Sequence, residues 1–102
     1  MHTPFYSLLI MLLFTTYAAT ATEFSKEGGY GFDWLKPETT RCKVITQKDI
    51  TTFKKCEYIT TATFGLPIAS YKCDVNKHSE YFILQTKAEC IDALETMQAN
   101  AP

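Results

Sequence analysis

The first pattern along the chain is an apolar block, Leu8-Leu9-Ile10-Met11-Leu12-Leu13-Phe14, inside a stretch from Pro4 to Ala19 without a charged side chain. The block falls short of the roughly 20 apolar residues that cross a bilayer and has the length of a secretory h-region. Ala19-Thr20-Ala21 offers small residues for a peptidase, so residues 1–21 are expected to form a signal peptide cleaved after Ala21, with Ala18 and Ala19 as alternative sites. The n-region Met1-His2-Thr3 lacks the usual lysine or arginine, which keeps an uncleaved N-terminal anchor as the competing reading.

After the block the pattern changes. Residues 22–31 are polar and glycine-containing and read as a flexible leader. Tyr30, Phe32 and Trp34 then alternate with Gly31 and Asp33, which places three aromatics on one face of an extended segment. That strip either docks on the core or stays exposed as a recognition surface. The organisation expected is a leader over 22–36 and a single domain over 37–102. Cys42 to Ile45 suggests a short strand, and Thr46 with Asp49 suggests a helix N-cap, the helix running to about Cys56 with Ile50 and Phe53 inward and Lys54 and Lys55 in its last turn. Glu57 to Phe64, Ile68 to Val75 and Glu80 to Gln85 read as strands, separated by turns at Gly65-Leu66-Pro67 and Asn76 to Ser79. Thr86-Lys87-Ala88-Glu89 is a capping box opening a second helix whose Cys90, Ile91, Leu94 and Met97 recur at helical spacing. The fold class is therefore α+β: a three-stranded antiparallel meander, with room for a short N-terminal strand, packed against two helices.

Charge narrows the partners. Ten Lys and Arg against eleven Asp and Glu, mixed along the chain, give a net charge of −1. Binding to a nucleic acid backbone needs clustered cations that release counterions, so nucleic acid is not an expected partner. A domain this small buries too little apolar surface to be stable without staples. Cys42, Cys56, Cys73 and Cys90 supply them as disulfides in an oxidising compartment. Successive cysteines have 13, 16 and 16 residues between them and form no CxxC knuckle, which argues against zinc, thioredoxin-type chemistry and haem attachment. Three pairings are open. The favoured one is sequential, Cys42 with Cys56 and Cys73 with Cys90. In an undisturbed hairpin Cys73 shares a face with Phe82 and Leu84, the face on which the last helix and its Cys90 should lie.

No catalytic constellation is found. His78, the one histidine beyond the leader, stands in a predicted turn, and with every cysteine bridged no thiolate nucleophile remains. Asp74 to Glu80 begins like a calcium loop but lacks the glycine needed at the sixth position and has Gln85 in place of the bidentate acid. Neither metal nor cofactor is expected. Tyr71-Lys72-Cys73-Asp74 resembles the short Tyr-x-Cys-Asp strand of periplasmic lysozyme inhibitors, although the two predicted helices depart from the all-β barrel of that family. The reading that follows is a secreted or periplasmic, non-enzymatic binding module, such as an inhibitor, an immunity-like protein or an envelope accessory factor. It would have no transmembrane span after cleavage, would meet another protein, and would bind through Tyr30, Phe32 and Trp34, because aromatic side chains are favoured interface anchors. On that reading Trp34→Ala should abolish binding with folding largely intact. The alternative is a secreted effector or toxin, and less so a small hydrolase.

Overall fold

The computed structural model describes residues 23–61 and 63–101; the predicted signal peptide and its cleavage site lie outside the described residues. The elements in chain order are β1 (Tyr30–Asp33), β2 (Lys43–Val44), α1 (Gln47–Thr52), β3 (Lys55–Ile59), β4 (Ser70–Asn76), β5 (Ser79–Leu84) and α2 (Lys87–Asn100). The strands form one sheet in the order β2-β1-β5-β4-β3, with every neighbouring pair antiparallel. This is a small disulfide-stabilised α+β domain: the expected meander β3-β4-β5 is extended on the β5 side by β1 and β2, with α2 packed on one face and α1 on the other.

Both helices start where local chemistry places them. The Thr46 side chain accepts from Asp49 N while Asp49 Oδ2 accepts from Thr46 N, and Thr86 and Glu89 make the same reciprocal pair. Their extents differ from expectation in one case. α1 stops at Thr52 instead of reaching Cys56, because the Thr51 and Thr52 hydroxyls turn back onto the Lys48 and Asp49 carbonyls (2.6 Å each) and Phe53 is already extended. Lys55 consequently opens β3 rather than closing a helix. There it sits across from Asp74, and Glu57 across from Lys72, opposite charges that favour this register. In α2 the buried residues are Cys90, Ala93, Leu94 and Met97; Ile91, expected inward, is exposed, and the stripe is completed by Ala93 at the i+3 position.

The face assignment of β4 is the main correction. Asn76 pairs with Ser79 at the turn, and continuing that register would bring Cys73 opposite Phe82. The ladder slips by one residue between Asp74 and Asn76, leaving Val75 as a bulge, so that Cys73 pairs with Tyr81 and Tyr71 with Ile83. A one-residue slip moves every side chain to the other face. Phe32, Phe82 and Leu84 meet α2 on one face, whereas Tyr71, Cys73 and Ile83 pack on the other with Ile45, Ile50 and Phe53. The disulfides follow from this. Cys73 bonds Cys56, its direct neighbour across β3–β4, and Cys90 of α2 bonds Cys42. The sequential pairing is thereby replaced by Cys42–Cys90 and Cys56–Cys73.

The segment set apart as a flexible leader is built into the fold. Phe24 packs edge-on to the Tyr58 and Tyr71 rings, the Tyr71 hydroxyl donates to the Phe24 carbonyl (2.6 Å), and Gly28 and Gly29 exchange backbone hydrogen bonds with Ile45 (2.9 and 2.8 Å). β1 itself lies between β2 and β5. Its Gly31 leaves room for Ile45: a Cβ there would stand 2.9 Å from Ile45 Cδ1 and 3.0 Å from the Phe82 carbonyl oxygen. Gly31→Ala is therefore expected to cost about 2 kcal/mol by overpacking, read as a lower urea midpoint at unchanged slope. A neutral effect would mean that β1 shifts freely on β5.

Candidate functional site

The three aromatics of the strip do share a face, and it is the face that α2 covers. Phe32 is 0% exposed at the centre of the core, Tyr30 packs at its margin, and Trp34 alone reaches an open hollow. Phe32 thus has no surface to offer a partner in the folded state.

Trp34 is held by the end of β1. The carboxylate of Asp33, 4% exposed, accepts from the Ser79 hydroxyl (2.7 Å), from Leu35 N and Glu80 N (3.1 and 3.2 Å), and from Lys36 Nζ (3.2 Å), while Asp33 N donates to Thr40 Oγ1 (2.7 Å). Burial pushes this carboxyl up, but the four donors together outweigh it and hold it below the ordinary carboxylate value. The knot closes the turn that carries Trp34, Lys36 and Pro37. Trp34 N continues the ladder to the Glu80 carbonyl (3.1 Å), and its indole N–H donates to Glu80 Oε1 (2.5 Å).

The second wall comes from the segment between β3 and β4. Thr63 and Leu66 exchange two backbone hydrogen bonds (3.0 and 2.9 Å) around Phe64 and Gly65, both with positive φ (52° and 82°), as a two-residue hairpin loop of the primed type requires. Glycine takes that conformation freely; phenylalanine takes it at a cost on the order of 1 kcal/mol. The return is contact: the Phe64 ring lies 4.7 Å from Phe82, 6.0 Å from Phe32 and 6.3 Å from Trp34 between centroids. Below the loop the Thr63 hydroxyl donates to the Ile68 carbonyl (3.1 Å) and meets the Ser70 hydroxyl (2.7 Å), which satisfies two buried polar side chains.

The C-terminal turn of α2 closes the third side. Gln98 Nε2 donates to the Pro37 carbonyl (3.0 Å), fixing that turn to the Trp34 loop. Trp34, Pro37, Phe64, Met97, Asn100 and Ala101 then line a mostly apolar hollow of about 260 Å³. Beside it, on the same sheet face, runs a charged row made of Lys55 and Glu57 on β3, Lys72 and Asp74 on β4, and Glu80 on β5. Glu80 joins the two surfaces, because it pairs with Asp74 in register and takes the Trp34 indole hydrogen bond. Its hydrogen bond with Asp74, and then burial, hold its carboxyl above the ordinary value, against the lowering effects of Trp34 and Lys72.

Elsewhere the chemistry is structural. The exposed turn residue His78 donates its backbone N–H to Asn76 Oδ1 (2.8 Å). Lys43 pairs with Asp49 (2.8 Å) across the start of α1, and this hydrogen bond raises its pKa. Tyr71 is raised by burial first and then by the charge of Glu23. Among the described residues no group of three or more His, Cys, Asp and Glu side chains is placed to hold a metal ion, and no helix is long and apolar enough to cross a membrane.

Of the sequence-predicted binding residues, then, only Trp34 lies at the hollow. Pro37, Phe64, Met97, Asp74 and Glu80 were not read from the sequence as members of one site, since nothing local joins them: they meet only after β1 pairs with β5 and α2 folds back. The one usable signal was the turn expected at Gly65-Leu66-Pro67, which the structure places one residue earlier, at Phe64-Gly65 between Thr63 and Leu66. Compared with protein families, with characterised proteins and with solved structures, the chain finds no match.

Proposed function

We propose that the chain is an exported, non-enzymatic binding module that engages another protein through the hollow at Trp34. The observation that supports this reading is the construction of the hollow. An aromatic wall is kept open at the surface by a phenylalanine in a conformation that costs energy, and backbone strain of this kind concentrates where a site needs a side chain in one place. Tryptophan is also among the residue types enriched as binding anchors. An inhibitor, an immunity-like protein or an envelope accessory factor would each use such a surface, and the N-terminal apolar block supports secreted or periplasmic placement.

The test compares capture of partners from the exported compartment by the wild-type chain, by Trp34→Ala, and by Ile91→Ala on the exposed side of α2. Trp34→Ala is expected to lose at least about tenfold in affinity, the scale of an anchor residue, with Ile91→Ala unchanged. Because Trp34 also packs on Phe82 and Phe64, some loss of thermal stability accompanies the change. Unaltered capture by a folded Trp34→Ala protein would remove the hollow from the reading.

A further inference from the structure

We infer that the occupant of the Trp34 hollow is a partner segment that places one apolar side chain in the hollow and a lysine or arginine against Glu80 at its rim. This rests on the binding reading above and adds the chemistry of the partner. Size comes first. At about 260 Å³, and open on one side, the hollow lies below the roughly 300–1,000 Å³ of small-molecule and cofactor sites. It accommodates a side chain.

Charge comes from two independent directions. On the sheet side, the groups facing Glu80 are Asp74, Lys72, Glu57 and Lys55. Lys72 approaches Glu57 at 3.9 Å, and Lys55 stands across from Asp74, so two lysines face three acids, and Glu80 is the acid of the row that meets Trp34. Glu80 lies directly across from Asp74 in register, and a partner cation would offset the repulsion between the two carboxylates. On the helix side, the 14-residue α2 ends at the hollow with Asn100 and Ala101 and has no basic residue in its last turn. The negative end of its dipole, equivalent to about half a charge, is thus left without a cation of its own. A carboxylate or phosphate brought to the same rim would meet repulsion from both sides.

Trp34 is the sole tryptophan of the chain, which makes its fluorescence a direct reporter of the hollow. The experiment titrates the protein secreted from the full-length chain with two blocked pentapeptides, Leu-Lys-Leu-Lys-Leu amide and Leu-Glu-Leu-Glu-Leu amide. The lysine peptide is expected to shift the emission to shorter wavelength and saturate, with the glutamate peptide at least about tenfold weaker. Glu80→Gln keeps an acceptor for the Trp34 indole N–H and should bring the two peptides within about threefold of each other; Asp74→Asn, on the neighbouring strand across from Glu80, should reduce the preference less. Equal binding of the two peptides, or an undiminished lysine preference in both variants, would overturn the cationic partner and leave an apolar site. Absence of any saturable response would overturn the inference as well, and the capture experiment with Trp34→Ala would then decide the binding reading on its own.

Discussion

Replacing Cys42 and Cys90 together by serine is expected to lower the unfolding free energy by about 4 kcal/mol, against about 3 kcal/mol for the Cys56 and Cys73 pair. The difference comes from loop length. The first bridge spans 48 residues and the second 17, and a crosslink removes more freedom from the unfolded chain the longer the loop it closes. Position reinforces the order. Cys42–Cys90 joins the segment between β1 and β2 to the first turn of α2, two parts that meet only in the folded state, whereas Cys56–Cys73 joins strands already paired along β3–β4. A small scaffold rarely has more than about 3–5 kcal/mol from its core, so the first double variant should be largely unfolded at 37 °C while the second keeps a cooperative transition. Urea unfolding followed by Trp34 fluorescence separates them. If the Cys56 and Cys73 variant proved the weaker of the two, strand pairing at the sheet edge would depend on its bridge and the loop-length argument would fail.

The pairing also shows where sequence reasoning reaches and where it ends. Thr46 with Asp49 and Thr86 with Glu89 satisfy their own orphan N–H groups within four residues, so both helix starts could be read without any knowledge of the fold. The three hairpin strands were legible in order for the same reason, being separated by their own turns, although β3 runs over Lys55–Ile59 where the sequence suggested Glu57 to Phe64. Val75 was not. Nothing in Asp74-Val75-Asn76 announces that one residue will be left out of the ladder, yet that slip turns Cys73 away from α2 and determines both disulfides. The end of α1 was missed because two threonine hydroxyls compete for its last carbonyls, a choice too close in energy to read from propensity. The strip Tyr30, Phe32 and Trp34 was legible as a face but not as a site. Whether the face is core or surface depends on β5, about fifty residues away, and on how far α2 extends along it. Trp34 escapes burial because the helix ends beside it, and Phe64 arrives from a third segment to complete the wall.

Asp33→Ala is expected to cost about 3 kcal/mol, since it strips the Ser79 hydroxyl, the Leu35 and Glu80 N–H groups and Lys36 of their common acceptor in a buried site. Lys36 is half exposed and contributes little of this; the hydrogen bonds to the two backbone N–H groups and Ser79 contribute most. The charge adds a pH signature. The folded carboxyl lies below its ordinary value of 3.8, so its contribution is fully present above that value and is lost as the pH falls through the lower folded one. Asp49 is lowered as well: burial raises it, but its hydrogen bonds with Lys43 and Thr46 outweigh that, and it adds stability loss of the same sign in acid. Glu80 is raised and acts in the opposite sense, favouring the folded state as it becomes protonated. The wild-type profile alone therefore mixes three groups, and Asp33→Asn separates them. That variant keeps the side-chain shape and removes the titration, so its deficit relative to wild type should be greatest at neutral pH and shrink below about pH 4. Stability from urea midpoints between pH 7 and pH 3 supplies the measurement. Profiles that stay parallel throughout would mean that Asp33 holds the Trp34 turn by shape alone, with no contribution from its charge.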